Sequence, residues 1–250
     1  MDNNLIQYIL GIADNSLILG QRLGELCGHG PSLETDIALT NISLDLLGQT
    51  RSYYQYVAEM QGEGATEDTI AFLRLEREYK NALLVEQPNT DFGYVIARQF
   101  LFDVYHLALL QELQHSQDTQ LAAIAVKSIK EVLYHTRFSS DWIKRLGDGT
   151  PESHARIQTA INDLWIYTDE LFQPTEAENA MLAQGIGVDW SKLKATYYQQ
   201  VGAVLAEATL ETPNVVYFQK GGKQGIHSEH MGFILTELQY MQRAYPNMQW

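Results

Sequence analysis

The sequence predicts an all-α fold, and three observations support that prediction. Apolar residues recur with helical spacing over five long stretches that together cover much of residues 5–146. Glycine, proline and capping residues stand at the boundaries of these stretches. The one strand-like run, residues 214–218, is too short and too isolated to form a sheet.

The predicted helices follow one another with short connections. Gly28 and Gly30 end the first, Thr66 can cap the third, and Gly147 to Pro151 form a strong boundary after the fifth. The first five helices are expected at about residues 5–26, 33–60, 66–85, 92–115 and 120–146. Four C-terminal helices are expected at about residues 151–172, 175–183, 191–210 and 227–245.

Composition limits the function classes that this chain can belong to. At 250 residues and 45% hydrophobic it is most simply one domain over residues 1–250. A formal charge of -14 argues against nucleic acid and anionic membranes as partners. The N-terminus has no basic region, and no apolar run approaches the ~20 residues that a membrane span requires. The single cysteine, Cys27, fits a reducing, cytoplasmic compartment.

Four acids on the apolar sides of the long helices indicate a more specific architecture. Asp14, Asp45, Asp103 and Glu131 fall one in each of the first, second, fourth and fifth predicted helices, with the longest interval in the middle. This rhythm is expected of two helical hairpins joined by a crossover, as in ferritin-like bundles. Such bundles hold a di-metal site with one carboxylate from each of two helices and a Glu-x-x-His pair from each of the other two. The sequence therefore predicts a ferritin-like helical bundle with additional C-terminal helices.

The imidazoles that such a metal site requires are absent from the expected positions. Gly48 stands three residues after Asp45, and Tyr134 stands three residues after Glu131. Oxygen-activating iron sites depend on mixed nitrogen and oxygen ligation. We therefore predict no metal and no catalytic residues in this chain, with Asp14, Asp45, Gly48, Asp103, Glu131 and Tyr134 as vestigial metal-site positions. Buried acids then need cations, and the candidates by helical reach are Arg22, Arg51, Arg98, Lys127 and Lys130.

Three other pairs have metal-like spacing but favour ordinary roles. They are Asp103 with His106, Glu112 with His115, and His227 with His230. The first two pairs lie on one helix about two and a half turns apart, so they point to opposite faces and cannot share an ion cluster. A surface role or a hydrogen-bonded core role is the simpler interpretation of each. The alternative hypothesis is a metal-dependent oxidase with atypical ligands that recruits His106 or His135, and metal analysis of the purified chain distinguishes the two.

Five segments resemble one known family. They are DNSLILGQRLGELCGH (14–29), DLLGQTR (45–51), LVEQPN (84–89), IKEVLYH (129–135) and GGKQGIHSEH (221–230). The chain resembles the C subunits (PaaC) of bacterial phenylacetyl-CoA 1,2-epoxidases from near its N-terminus to Trp250. The resemblance implies a structural subunit of the oxygenase complex for aerobic phenylacetate degradation. Its partners would be a homologous catalytic A subunit that carries the di-iron centre and further components that include a reductase.

A coenzyme A thioester carries phosphates, so local basic groups in this acidic chain are candidate contacts. Arg74, Arg77 and Lys80 recur every three residues on the predicted third helix, beside Glu78 and Tyr79. They can hold the nucleotide end of the thioester or form a solvated face paired with acids. The remaining candidates are the start of the helix after Thr175, with Glu178, Asn179 and Ala180, and the glycine loop of Lys220 and Lys223. That loop, expected to be flexible, can contact a ligand, form a seam with the A subunit or be a plain connector.

Overall fold

The computed structural model describes residues 3–246 and 248, and it is all-α, as the sequence predicts. Over these residues it is 73% helical and contains no β-strand. The α-helices are α1 (Asn3–Gly24), α2 (Leu33–Gln61), α3 (Glu67–Phe72), α4 (Phe92–Leu113), α5 (Thr119–Gly147), α6 (Pro151–Trp165), α7 (Glu176–Ala183), α8 (Trp190–Glu207) and α9 (Glu229–Ala244). Short 3-10 helices lie at Glu76–Glu78, Leu83–Glu86, Asp169–Phe172 and Gly222–Gln224. None of the described helices is long and apolar enough to span a membrane.

The chain forms two compact units, and a long helical hairpin is the largest packing feature of each. The first unit contains residues 1–86, 175–177 and 221–250, and the second contains residues 87–174 and 178–220. Two helical hairpins in one chain are expected of a ferritin-like fold. The single domain predicted over residues 1–250 stays a prediction.

In the first unit, α1 packs along α2 and α9 lies against α1 and α3. The hydroxyl of Ser32 caps α2 by accepting a hydrogen bond from the N–H of Thr35 (3.3 Å). The Asp36 carboxylate accepts hydrogen bonds from the N–H groups of Gly28 and Gly30, each at 3.0 Å from Oδ1. These bonds lower the pKa of Asp36 and fix the turn of the hairpin.

In the second unit, α4 packs along α5, and α6 and α8 lie against both helices. The Asp91 carboxylate caps α4 by accepting a hydrogen bond from the N–H of Tyr94 (2.8 Å). From Val95 to Leu110 every residue of α4 is buried, so this helix forms the centre of the unit. At the end of α5, Gly147 lies so close to Ala208 that an added Cβ would be 2.3 Å from the Ala208 carbonyl oxygen.

The predicted third helix is wrong beyond its first six residues. Thr66 caps α3 as predicted, but α3 ends at Phe72, and the following residues contain only two 3-10 turns. Backbone N–H groups here find acceptors on α1: that of Lys80 donates to Asp14 Oδ2 (2.7 Å) and that of Ala82 donates to Asn15 Oδ1 (2.8 Å). Distant side chains thus replace the helical acceptors. Consequently Arg74, Arg77 and Lys80 do not share one helix face.

Candidate functional site

The Asp14 carboxylate is at the centre of a buried polar cluster in the first unit. The guanidinium of Arg74 donates to both of its oxygens, from Nη2 to Oδ1 at 2.6 Å and from Nη1 to Oδ2 at 3.0 Å. The hydroxyl of Tyr54 donates to Oδ1 (2.5 Å), in addition to the Lys80 N–H on Oδ2. Asp14 is fully buried. Four donors therefore satisfy this carboxylate, and one of the donor groups is a cation.

Arg74 is fully committed to this cluster. Its Nε donates to the Ile70 carbonyl (2.7 Å), and its Nη groups also donate to the Glu78 carbonyl (3.1 Å) and the Tyr54 hydroxyl (2.7 Å). The guanidinium carbon lies 4.1 Å from the centre of the Tyr79 ring. Burial lowers the pKa of Arg74, but the charge of Asp14 outweighs it and the pKa rises. The sequence predicts a salt bridge between one of the acids and one of five cations. Asp14 does form a salt bridge, but its partner Arg74 is not one of the five, so the predicted partner is wrong.

Neutral donors hold the equivalent acid of the second unit, Asp103. Gln99 Nε2 donates to Oδ1 (2.6 Å), and the hydroxyl of Ser139 on α5 donates to Oδ2 (2.8 Å). Burial raises the pKa of Asp103 to about 7, while nearby His135 and the two hydrogen bonds act in the opposite direction. Burial also lowers the pKa of His106, one turn further along α4, to about 3. Asp103 and His106 both lie in the core. Asp103 has the hydrogen bonds predicted for a core role, whereas neither ring nitrogen of His106 has a hydrogen-bond partner among the described residues, so that part of the prediction is wrong.

The two acids of each hairpin are out of register with each other. In the first hairpin, Thr50 contacts the Ala13 carbonyl (3.4 Å), so Asp45 lies about one turn, ~6 Å, away from the level of Asp14. In the second hairpin, Thr136 contacts the Asp103 carbonyl (3.3 Å), so Glu131 lies ~7 Å from the level of Asp103. Asp45 and Glu131 are only half-buried, which differs from the prediction of four inward acids.

The vestigial positions therefore do not fit a di-metal centre. Gly48 is exposed, and the Tyr134 side chain is 49% exposed. The guanidinium of Arg74 already occupies the place beside the Asp14 carboxylate where a metal ion would bind. In the described part of the chain, no group of three or more His, Cys, Asp or Glu side chains is placed to hold a metal ion.

The other pairs with metal-like spacing have separate partners. Glu112 forms an exposed ion pair with Lys192 (2.8 Å). His227 lies at 2.5 Å from the buried Glu86 through Nδ1 and at 3.1 Å from the Tyr79 carbonyl through Nε2. Burial lowers the pKa of His227, whereas the hydrogen bond to Glu86 and the negative charge of that residue raise it. The raising effects are larger together, so the pKa lies above its ordinary value. Sequence reasoning missed Glu86, because nothing in its local pattern indicates a partner so far along the chain.

Four of the predicted ligand contacts line a common cavity in the first unit. Arg74, Arg77, Glu78 and Lys80 surround a space of about 350 Å³. The cavity is also lined by Gln7, Leu10, Gln61, Thr69 and Ile70. Tyr79 is buried, with its hydroxyl on the Ala71 carbonyl (2.6 Å).

The other predicted contacts are not in the lining of this cavity. Glu178 is buried, and Asn179 and the half-buried Ala180 follow it on α7. Lys220 is exposed, whereas Lys223 is buried in the 3-10 turn.

The glycine loop is closely packed, so the prediction of a flexible loop is wrong. A Cβ on Gly222 would lie 2.4 Å from the Asn81 carbonyl oxygen. A Cβ on Gly225, where φ is +81°, would lie 2.2 Å from the Arg77 carbonyl oxygen. Glycine is required at both positions because backbone packs directly on backbone.

An exposed apolar stripe on α2 is a second candidate site. Leu33, Ile37 and Leu44 are 71%, 50% and 60% exposed. Gly48 continues the stripe, because these positions recur at helical spacing. No described atom beyond its own helix and neighbours lies within 4 Å of a Cβ built on Gly48.

Comparison with known proteins agrees with the resemblance found in the motifs. The family model described as phenylacetic acid catabolic protein matches residues 1–250. The chain is 52% identical over 248 residues to the C subunit of 1,2-phenylacetyl-CoA epoxidase from Escherichia coli (strain K12). That alignment covers 99% of this chain and 100% of the relative. The predicted family resemblance is thus confirmed.

Proposed function

Because the chain belongs to the phenylacetic acid catabolic protein family, we propose that it is the non-catalytic structural subunit of a phenylacetyl-CoA epoxidase. In this proposal it pairs with and stabilises a homologous A subunit, which carries the di-iron centre. A reductase supplies electrons to that subunit, and the complex acts in the cytoplasm. The observation that carries the pairing is the exposed stripe of α2 with Gly48 at its end.

The non-catalytic role is supported by what surrounds the acids. An oxygen-activating iron pair needs free carboxylates and imidazoles that converge on one point. Here Asp14 is saturated by Arg74, Tyr54 and the Lys80 N–H, and Asp103 has a pKa of about 7 among neutral donors. Protein groups therefore satisfy the hydrogen bonds of both carboxyl groups.

The helix stability that is lost by having glycine at position 48 supports the pairing. Glycine in an exposed helix interior is about 1 kcal/mol less favourable than alanine. No described neighbour comes within 4 Å of its Cβ position, so this chain itself offers no steric reason for glycine there. Close approach of a second helix backbone supplies such a reason. The adjacent Leu44, Ile37 and Leu33 supply apolar surface for the same contact.

Co-expression of the tagged chain with the homologous A subunit tests this proposal. Leu44→Asp should reduce the yield of co-purified A subunit at least about tenfold, because it buries an unpaired charge in the interface. Gly48→Ala should weaken capture and yet stabilise the isolated chain by about 1 kcal/mol. The matched control is Phe233→Asp on α9, where an apolar side chain that is 70% exposed, against 60% for Leu44, should be replaceable without loss of capture. Wild-type chain that captures no A subunit would contradict the proposal.

Metal analysis separates the proposed role from the oxidase hypothesis. We expect far less than one iron per isolated chain after aerobic purification in the presence of iron. Two irons per chain, lost on Glu131→Ala, would favour an oxidase with atypical ligands instead.

A further inference from the structure

The start of α9 is held by a buried acid that lies far back in the chain. The side chains of Glu86 and His227 are both fully buried, and His227 Nδ1 lies 2.5 Å from Glu86 Oε1. Ser228 donates its N–H (2.8 Å) and its hydroxyl (2.6 Å) to Glu86 Oε2, and Asn81 Nδ2 donates to Oε1 (2.9 Å). The Glu86 carboxylate therefore fixes the point at which α9 begins.

The contacts of His227 require a proton on each of its ring nitrogens. Nδ1 faces the Glu86 carboxylate, and Nε2 lies 3.1 Å from the carbonyl oxygen of Tyr79. A carbonyl and an ionised carboxylate only accept hydrogen bonds, and a neutral imidazole has a single N–H. The other donors on Glu86, from Asn81 and Ser228, favour the ionised carboxylate. His227 is thus an imidazolium when both of its contacts are formed.

The charged groups around His227 favour the same protonation state. Burial lowers the pKa of His227, but the hydrogen bond and charge of Glu86, the Tyr79 carbonyl and the charge of Glu76 together raise it above its ordinary value. From α1, Arg22 donates from Nε to the Glu86 carbonyl oxygen (3.0 Å), and its own charge is paired with a neighbouring carboxylate (2.9 Å). Along its own segment, His227 is followed by Glu229 and His230.

A connector without hydrogen bonds precedes this segment. The N–H of Glu211 donates to Gln158 Oε1 (2.8 Å), and the N–H of Gln219 donates to the Ile166 carbonyl (2.8 Å). Between these two anchors, residues 212–218 form no hydrogen bond within the described part of the chain. A change of backbone direction there breaks no hydrogen bond of the connector, so these residues can act as a hinge.

The other contacts that hold α9 in the first unit do not depend on pH. Met231, Ile234 and Leu235 are buried apolar side chains. Near the end of the helix, Gln239 Nε2 donates to the Arg74 carbonyl (2.9 Å). Neither apolar packing nor an amide hydrogen bond changes with protonation between pH 6 and pH 9. Among these contacts, the attachment through His227 is therefore the one that a proton can alter.

We propose that His227 is a proton-dependent latch for the segment of residues 221–244. As an imidazolium it ties the start of α9 to both Glu86 and the Tyr79 carbonyl, and after loss of one proton it can donate only one of these hydrogen bonds. The segment then opens more often about residues 212–218 and exposes the apolar face of α9. The contacts of the latch lie within the first unit, so the proposal does not depend on the proposed function.

The direction of the pH dependence follows from the raised pKa of His227. The latch contributes its full stabilisation below pH 6.5, and this contribution is lost as pH rises through the folded-state pKa. The segment should therefore be closed most firmly at slightly acid pH and should open more often at alkaline pH.

Hydrogen exchange of the full-length chain, followed by mass spectrometry, tests the latch. Labelling times are scaled so that intrinsic exchange is equal at pH 6 and pH 9. Peptides that cover residues 226–236 should exchange earlier than those of α4, because the segment opens without global unfolding. At pH 6 these peptides should be about tenfold more protected in wild type than in His227→Gln, which lacks a charge-assisted hydrogen bond. At pH 9 the two proteins should agree within about twofold.

Two further variants identify the groups responsible. Glu86→Gln removes the charge partner and should show the same loss of pH dependence as His227→Gln. The matched control is His154→Gln on α6, where Nδ1 of a half-buried histidine contacts the Gly147 carbonyl (2.7 Å). This control should leave the peptides of residues 226–236 unchanged at both pH values. A ratio of wild type to His227→Gln that is equal at pH 6 and pH 9, or exchange of these peptides only together with α4, would overturn the proposal.

Nitrogen-15 NMR of the histidine rings tests the latch in wild type and needs no variant to fold. Both ring nitrogens of His227 should carry a proton at pH 6, and one of them should have lost it at pH 9. A ring with a single N–H at pH 6 would overturn the proposal, because that ring cannot donate to both Glu86 and the Tyr79 carbonyl.

Discussion

Replacing Asp103 by asparagine should stabilise the protein at neutral and alkaline pH. Burial raises the pKa of this carboxyl from 3.8 to about 7. Between these values the folded protein holds the proton more tightly than the unfolded chain, so the free energy of unfolding falls as pH rises through this window. A difference of about three pKa units corresponds to roughly 4 kcal/mol lost by pH 8. The asparagine side chain carries no charge, so the Asp103→Asn variant should not incur this loss.

The surroundings of Asp103 can accept the amide without rearrangement. Oδ1 keeps the hydrogen bond from Gln99, and the new Nδ2 can donate to Ser139 Oγ. The Ser139 hydroxyl can then direct its own hydrogen to the His135 carbonyl, 3.0 Å away. The substitution therefore removes a charge and keeps both hydrogen bonds of the carboxyl group.

Urea unfolding followed by circular dichroism between pH 4 and pH 9 measures the effect. The stability difference between Asp103→Asn and wild type should be small at pH 4 and rise to several kcal/mol by pH 8. His106, whose pKa is lowered to about 3, destabilises the fold as pH falls below 6.5, but it does so in both proteins and cancels in the difference. A variant less stable than wild type at pH 8 would refute the reasoning, because it would show that the ionised carboxylate is well solvated.

Three further changes test other parts of the first unit. Arg74→Ala leaves Asp14 buried without its cation and should cost about 3–5 kcal/mol in urea unfolding, against a negligible change for Arg137→Ala. Because the pKa of His227 is raised, its pairing with Glu86 stabilises the fold below pH 6.5, and this stabilisation is lost as pH rises through the folded-state pKa. The difference in free energy of unfolding between wild type and His227→Gln should therefore shrink as pH rises. Gly225→Ala should lower stability by about 2 kcal/mol, since φ is +81° and the new Cβ meets the Arg77 carbonyl; a thermal midpoint equal to wild type would contradict this.

The helices that the sequence predicted well are those whose signals are local. Ser32 caps α2 and Asp91 caps α4 through bonds to residues three positions away, and glycines follow α1 and α2. The third helix failed because the competing acceptors, Asp14 and Asn15, lie more than sixty residues from the N–H groups that they bind. Local spacing does not indicate such partners.

The same limit applies to the buried acids. Their need for compensation follows from charge and burial alone, and Asp14 has its cation. The five predicted cations were chosen by helical reach, whereas Arg74 arrives from a chain segment 60 residues away. The sequence also could not predict the offset between the two acids of each hairpin. The contacts of Thr50 and Thr136 show the register of the paired helices, and intervals along the chain do not determine that register.

The structure changes the interpretation of Gly48. The sequence interprets it as a position where a di-iron protein has a histidine ligand, which does not explain why the residue here is glycine. Any small helix-forming residue would also remove the ligand, and alanine would do so with about 1 kcal/mol more helix stability. Gly48 is exposed, and no described neighbour approaches its Cβ position. The choice of glycine therefore favours contact with another backbone, which is why Gly48→Ala should raise the stability of the isolated chain while it weakens capture of the A subunit.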